Sequence, residues 1–328
     1  MNSSNETFYP IDFWFSLYGF PHVQDIIIVY IITPFWVTAL ILSSFSFFVM
    51  LKAPFFHSSF FKYMRLYVLS NSLLSLLSTT SFIQLTRHIF SFTNTEAATF
   101  YGNYVFAYAQ SSLFSFSSLI EICLAAERIL GLLPRRFKKI KILGFNKFFS
   151  ISFIACVLVN ITAVLLFEPA YADIQLENNA VFRLWYYGIT SLSSTSTGAF
   201  LSYFGYVFRD ILPMIAKIVL NTLLVYLIRS YVKRKQRIST TANASNAHLA
   251  SIDQRQTYIS LIMSTFSLLE HILYITSFIQ YFFNDYDVAN FIYTFAAFSI
   301  AVKLVFNFFI LLIFNNLFRN EVRNIFSF

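Results

Sequence analysis

The stretch Phe148–Phe167, FFSISFIACVLVNITAVLLF, runs for twenty residues without a charged side chain. As an α-helix rising 1.5 Å per residue it is about 30 Å long, the thickness of the hydrocarbon core of a bilayer. Its flanks are unequal. Before it stand Arg135, Arg136, Lys138, Lys139, Lys141 and Lys147, and after it Glu168, Asp173 and Glu177. An uncharged run of this length with basic residues on one side reads as a transmembrane helix whose basic end faces the cytosol.

Six further runs have the same character. With the first they fall near Ile26–Leu51, Tyr63–Phe90, Tyr104–Leu130, Phe148–Phe167, Val207–Val232, Tyr258–Phe283 and Val288–Phe314. Composition agrees. Of 328 residues, 57% are hydrophobic and only 12% charged, against about 25% charged in a soluble domain. With 43 Phe and 20 Tyr, too little polar surface remains to cover a globule in water. That apolar content excludes disorder. The two cysteines, Cys123 and Cys156, lie in apolar runs and make no disulfide framework. Long unbroken runs exclude a barrel of short alternating strands.

The net charge of +8 is explained by topology rather than by nucleic acid. One side of the membrane receives Lys52, Lys62, Arg65, the six residues before Phe148, Arg229, Lys233, Arg234, Lys235, Arg237, Arg255, Arg319 and Arg323. The other receives Arg87, Arg183 and Arg209, diluted by acids. Seventeen against three places the basic side in the cytosol and the amino terminus outside. The expected organisation is an extracellular segment 1–25, a seven-span unit 26–314 with a polar cytosolic loop 233–256, and a cytosolic piece 315–328. The start shows no basic segment followed by a short apolar core, so the first span is expected to be the targeting signal. Asn2 and Asn5 open glycosylation triplets on the expected outer side.

At the inner end of the third span stands Glu127-Arg128-Ile129. The seventh span ends Asn307-Phe308-Phe309-Ile310-Leu311, followed by Phe314-Asn315-Asn316-Leu317-Phe318-Arg319. Together with seven spans and an outward amino terminus, these resemble the rhodopsin-like (class A) G-protein-coupled receptors. Their third helix ends in Asp/Glu-Arg-Tyr, and their seventh in Asn-Pro-x-x-Tyr, then Phe-Asn and Phe-Arg. Here Ile129 replaces the aromatic, Phe308 the Pro and Leu311 the Tyr. Pro213 resembles the proline bend of the fifth helix, and Tyr67 to Leu73 the Asn-containing stretch of the second. The sixth span lacks the family's Trp and Pro, the second lacks its sodium-binding acid, and the disulfide cysteines are missing. Such losses resemble divergent invertebrate orphan and chemosensory serpentine receptors. The resemblance implies a receptor that couples to a heterotrimeric G protein through Glu127, Arg128, Arg135, Arg136, Lys138, Asn307, Phe318 and Arg319. Phe314, Leu317, Phe318, Val322 and Ile325 share one helical face, which suits a short amphipathic helix on the inner leaflet.

Glu121, Lys217, Glu270 and Lys303 lie deep in spans. An intramembrane charge costs about 2.5–3.5 kcal/mol or more and so seeks a partner inside the bundle. Glu270 and Lys303 lie at similar depth on neighbouring spans and can pair. Glu121 and Lys217 can pair lower down. The same residues also suit a proton or ion path, and the bland alternatives are a snorkelling Lys217 and a protonated Glu121. His271 reads as a packing or hydrogen-bonding residue, since no second His or Cys stands at ligand spacing. Candidates for an outer ligand pocket are Phe82, Tyr104, Tyr108, Gln110, Trp185, Tyr274, Phe278 and Tyr293; aromatic core is the default reading of most. Gln110, eighteen residues before Arg128, stands where the amine receptors of the resembled family carry an acid, which argues against a monoamine.

No phosphate-cradling glycine loop, metal-spaced His/Cys set or nucleophile–base pair is visible, so neither an enzyme nor a cofactor is expected. The expected protein is a plasma-membrane glycoprotein receptor for a chemosensory cue or peptide. The rival is a seven-span transporter or channel subunit using the buried charges.

Overall fold

The computed structural model describes residues 27–52, 59–80, 95–133, 145–175, 181–238, 244–282 and 286–327. Helix α1 (Thr33–Lys52) is entered through a π-helical turn, Ile27–Ile32, and α2 spans Ser59–Thr79. Helix α3 runs end to end through Glu96–Phe100, a π-helical stretch Tyr101–Ala107, and Tyr108–Leu132. Helix α4 comprises Phe145–Val159 and Thr162–Leu166, broken by a turn at Asn160 and Ile161. Helix α5 runs through Ser196–Tyr206, a π-helical turn Val207–Ile211, and Leu212–Ile238. Helices α6 (Ala244–Phe282), α7 (Tyr286–Phe314) and α8 (Asn316–Phe326) follow.

Helix α1 packs on α2 and α7, and α6 lies between α5 and α7. Helix α3 is the central post, touching α2, α4, α5 and α6. That position explains its composition: Ser112, Ser115, Ser117, Ser118 and Glu121 are all buried. Polarity runs inside out. Glu121, Lys217, Glu270, His271 and Lys303 are interior, whereas Ile151, Phe200, Tyr226, Phe295 and Phe306 lie on the surface. Water would reject such an arrangement, and a hydrocarbon solvent favours it. Among the described residues, five segments, Tyr30–Lys52, Phe149–Leu166, Ser196–Ser230, Arg255–Ile279 and Phe291–Phe314, are long and apolar enough to cross a membrane. Helices α2 and α3 are less apolar because their polar residues face inward. The chain is an all-α, multi-pass membrane bundle.

Two apolar layers sandwich the interior charges. Along α3 the order is Phe114, Glu121, Leu124, and along α7 it is Ile300, Lys303, Ile310. Phe114 and Ile300 join Trp36, Leu74 and Leu304 toward one end. Leu124 and Ile310 join Phe60, Met64, Ile259 and Phe318 toward the other. Pro213 is the second residue of the last segment of α5, directly after the π-helical turn. A proline removes one backbone donor, and a π-bulge accommodates the resulting break. With no proline, α6 and α7 run unbroken for 39 and 29 residues.

The long connection after α4 departs from an all-helical reading. It contains an antiparallel hairpin, β1 (Phe167–Gln175) and β2 (Val181–Ile189), in register from Phe167↔Ile189 to Gln175↔Val181. Arg183 grips Asp173 across the register with bonds of 2.7 and 3.0 Å and lies over the Tyr171 ring. That guanidinium holds the Asp173 carboxyl below the usual carboxylate range. The fifth helix also starts eleven residues before the sequence expectation of Val207, because Thr195 caps it by accepting from Gly198 N at 3.1 Å. Gly198 is required there, since a Cβ would sit 2.1 Å from the Leu192 carbonyl oxygen.

Candidate functional site

Helical spacing assembles the centre of the bundle. Asp210 and Lys217 are seven residues apart on α5, Phe114 and Glu121 seven apart on α3, and Lys303 and Asn307 four apart on α7. Each pair shares a face. Helix α6 contributes Glu270 and His271. Lys303 Nζ lies 2.8 Å from Glu270 Oε2 and 3.2 Å from Glu121 Oε1. Lys217 Nζ lies 2.7 Å from Glu121 Oε2, 2.5 Å from Ser267 Oγ and 3.2 Å from His271 Nε2. Two carboxylates and two ammoniums therefore form one neutral cluster from four helices, rather than separate pairs at different heights. Glu121 is its hub.

The cluster continues toward α8. The Tyr67 hydroxyl donates to Glu121 Oε1 at 2.6 Å and accepts from Asn307 Nδ2 at 2.9 Å. Ser117 donates to Asn71 Oδ1 at 2.7 Å. Asn71 and Tyr67 are four residues apart on α2, a spacing that marks one inward face. Sequence reading gave Tyr67 no role.

At the α8 end, Arg128 Nη1 donates to Gln256 Oε1 at 2.5 Å, joining α3 to α6. Its guanidinium lies 4.4 Å from the Phe60 ring centroid on α2 and 3.9 Å from Glu127 Oε1. Phe318 is fully buried and meets Phe308 edge-to-face at 5.9 Å, so the aromatic in place of proline is packing material for α8. Asn315 Oδ1 caps α8 by accepting from Phe318 N, and Arg319 donates to the Asn316 side chain. Leu317, Val322 and Ile325 pack on the same apolar layer as Phe318, and Arg323 is exposed.

Toward the hairpin, a small, partly open cavity of about 70 Å³ is lined by Trp36, Leu74, Gln110, Ser111, Phe114, Arg209, Asp210, Tyr274, Tyr293 and Ile300. Arg209, counted in the sequence among the basic residues of the outer side, stands in the π-helical turn of α5, with Nε and Nη2 each 2.8 Å from Asp210 Oδ2. The Asp210 side chain is 1% exposed. Neither residue was named as part of a pocket, although Asp210 lies two helical turns before Lys217.

The sequence-derived pocket candidates divide. Gln110, Tyr274 and Tyr293 line the cavity; Gln110 donates to Ser78, and the two tyrosine rings meet at 5.6 Å. Phe278 stacks on Tyr206 at 3.9 Å, outside the lining. Tyr108 donates to the Val157 carbonyl at 3.1 Å, and the Tyr104 hydroxyl lies 3.5 Å from that of Phe167. These two tie α3 to α4 and the hairpin. Trp185 pairs with Tyr171 in the hairpin register. Phe82, Arg135, Arg136, Lys138, Asn2 and Asn5 lie outside the described residues.

No family model matches the chain, and no curated protein matches it. Among solved structures it is similar to squid rhodopsin, with a TM-score of 0.62 and 15% identity, over 98% of this chain and 87% of that one. The two chains thus share an overall fold at very different sequence. This chain is a multi-pass membrane protein with the fold of squid rhodopsin.

Proposed function

We propose that the chain is a G-protein-coupled receptor of the plasma membrane, with the amino terminus outside and the α8 end in the cytosol. The observation that carries the reading is the Arg128–Gln256 bond. It ties α3 to α6 at the end where the basic connections gather, in a fold shared with a rhodopsin. An extracellular ligand, a chemosensory cue or a peptide, enters from the hairpin end and shifts a two-state bundle toward one in which this tie is open. A heterotrimeric G protein then docks among Glu127, Arg128, Arg135, Arg136, Lys138, Asn307, Phe318 and Arg319. The neutral charge cluster lies between the two ends and couples them. Asn2 and Asn5 carry glycans on the outer side.

The test is nucleotide exchange on a panel of purified G proteins, with the Arg128→Ala chain as control. Exchange by the native chain and none by the variant supports the reading. Ion flux or conductance without exchange would replace it with a transporter or channel working through the buried charges.

A further inference from the structure

Asp210 on α5 and His271 on α6 stand just short of a hydrogen bond. Lys217 has three protons and no acceptor, and its Nζ lies 3.2 Å from His271 Nε2. Nε2 is therefore the accepting nitrogen, and the ring hydrogen sits on Nδ1. Nδ1 lies 3.8 Å from Asp210 Oδ1, too far for a hydrogen bond and too near to admit a third atom between them. Both atoms are sealed from water, and neither has a hydrogen-bond partner among the described residues. A buried donor and a buried acceptor left unpaired are costly, and here neither solvent nor a bound molecule can supply the missing partner. Only movement of α5 against α6 can.

Asp210 stands where α5 is able to move. It lies in the π-helical turn Val207–Ile211, just before Pro213. A π turn closes its hydrogen-bonded ring over one residue more than an α turn, so a local change of bonding there re-aims side chains while both flanking helices stay intact. Both partners also back onto the cavity. Arg209, part of its lining, holds Asp210 through Oδ2 alone and leaves Oδ1 to face His271. The Phe114 ring, also part of the lining, meets His271 at 5.4 Å and Tyr274 at 5.6 Å. We propose that the Asp210–His271 pair is a latch, open in this structure and closed by an approach of α5 to α6 of about 1 Å when the cavity is occupied. Because His271 also holds Lys217, closure acts on the cluster that runs through Glu121 and Tyr67 to Asn307. The inference rests on the receptor reading for the meaning of closure, and its first test uses no G protein.

The full-length chain, carrying isotope-labelled histidine, is purified in detergent micelles for nitrogen and proton NMR, and the His271 signal is identified by its loss in His271→Phe. In the native chain the ring should carry one proton, on Nδ1, without the downfield shift of a proton held by a carboxylate. Asp210→Glu lengthens the side chain by one methylene, enough to span the gap. In that variant the Nδ1 proton should move downfield, and the melting temperature should rise by about 2 °C or more. Nucleotide exchange without ligand should rise by about fivefold or more, and adding His271→Phe should cancel the thermal and exchange gains. A native ring protonated on Nε2 or on both nitrogens, or an Nδ1 proton already downfield, overturns the proposal. So does an Asp210→Glu chain with an unchanged proton, or with gains that survive His271→Phe. If Asp210→Glu fails to fold, relaxation dispersion on the native Nδ1 proton decides: exchange with a downfield minor state supports the latch, and its absence overturns it. No nucleotide exchange from any chain, with the proton shift intact, would remove the receptor reading and leave the latch, so the two fall separately.

Discussion

Replacing Lys303 by Met should destabilise the bundle more than replacing Glu270 by Gln, although each removes one charge from the same ion pair. Lys303 Nζ stands 2.8 Å from Glu270 and 3.2 Å from Glu121. At an effective dielectric constant of about 20, Coulomb attraction over these distances is about 6 and 5 kcal/mol. Desolvation offsets much of it, and removing one partner of a buried pair costs about 3–5 kcal/mol. After Lys303→Met, Glu121 still has Lys217 at 2.7 Å, but Glu270 keeps no cation within 4 Å among the described residues. The full 3–5 kcal/mol is expected. After Glu270→Gln, Lys303 retains Glu121, so about 1–3 kcal/mol is expected. The double variant removes both desolvation costs and should be less stable by clearly less than the two single losses together, with a coupling of about 2–3 kcal/mol. Unfolding of the purified chains in mixed micelles, run as a double-mutant cycle, measures this. Strictly additive losses, or equal losses for the two single variants, would refute the shared-ammonium geometry.

Three further outcomes are expected. Arg128→Ala should abolish nucleotide exchange at near-normal surface expression; normal exchange would remove this residue from the coupling site. Tags at the two ends should stain outside for the amino terminus and only after permeabilisation for the carboxyl terminus, and surface staining of the latter would reverse the proposed orientation. Gly198→Ala should lower the melting temperature, because its Cβ meets the Leu192 carbonyl, whereas Gly131→Ala, with nothing within 4 Å, should be neutral or stabilise by up to about 1 kcal/mol; equal effects would show that the Gly198 contact is not tight.

The class of fold was legible because membrane solvent imposes long apolar runs, and Phe148–Phe167 states that requirement in a single line of sequence. The end of α7 was legible for a similar local reason: Asn315 caps, and Phe318 falls on the apolar face of α8. The hairpin was not read, although Asp173 and Arg183 of opposite sign and the aromatic run Trp185-Tyr186-Tyr187 were available as signals. Strand pairing is a contact between segments, and no helical periodicity announces it. Arg209 was read only for orientation and Asp210 was passed over, because they stand at the margin of an apolar run, where charges are common at a helix end and do not by themselves show that they face inward.

Local composition determined which residues carry charge into the bundle: Glu121, Lys217, Glu270 and Lys303 each interrupt an apolar run, and that is visible residue by residue. Only the tertiary structure decided that they form one cluster with Glu121 as hub, and that His271 stops just short of Asp210. Those facts depend on how each helix is rotated about its axis. Rotation is set by packing against several neighbours at once, so it is a property of the whole bundle and is written in no single stretch of the chain.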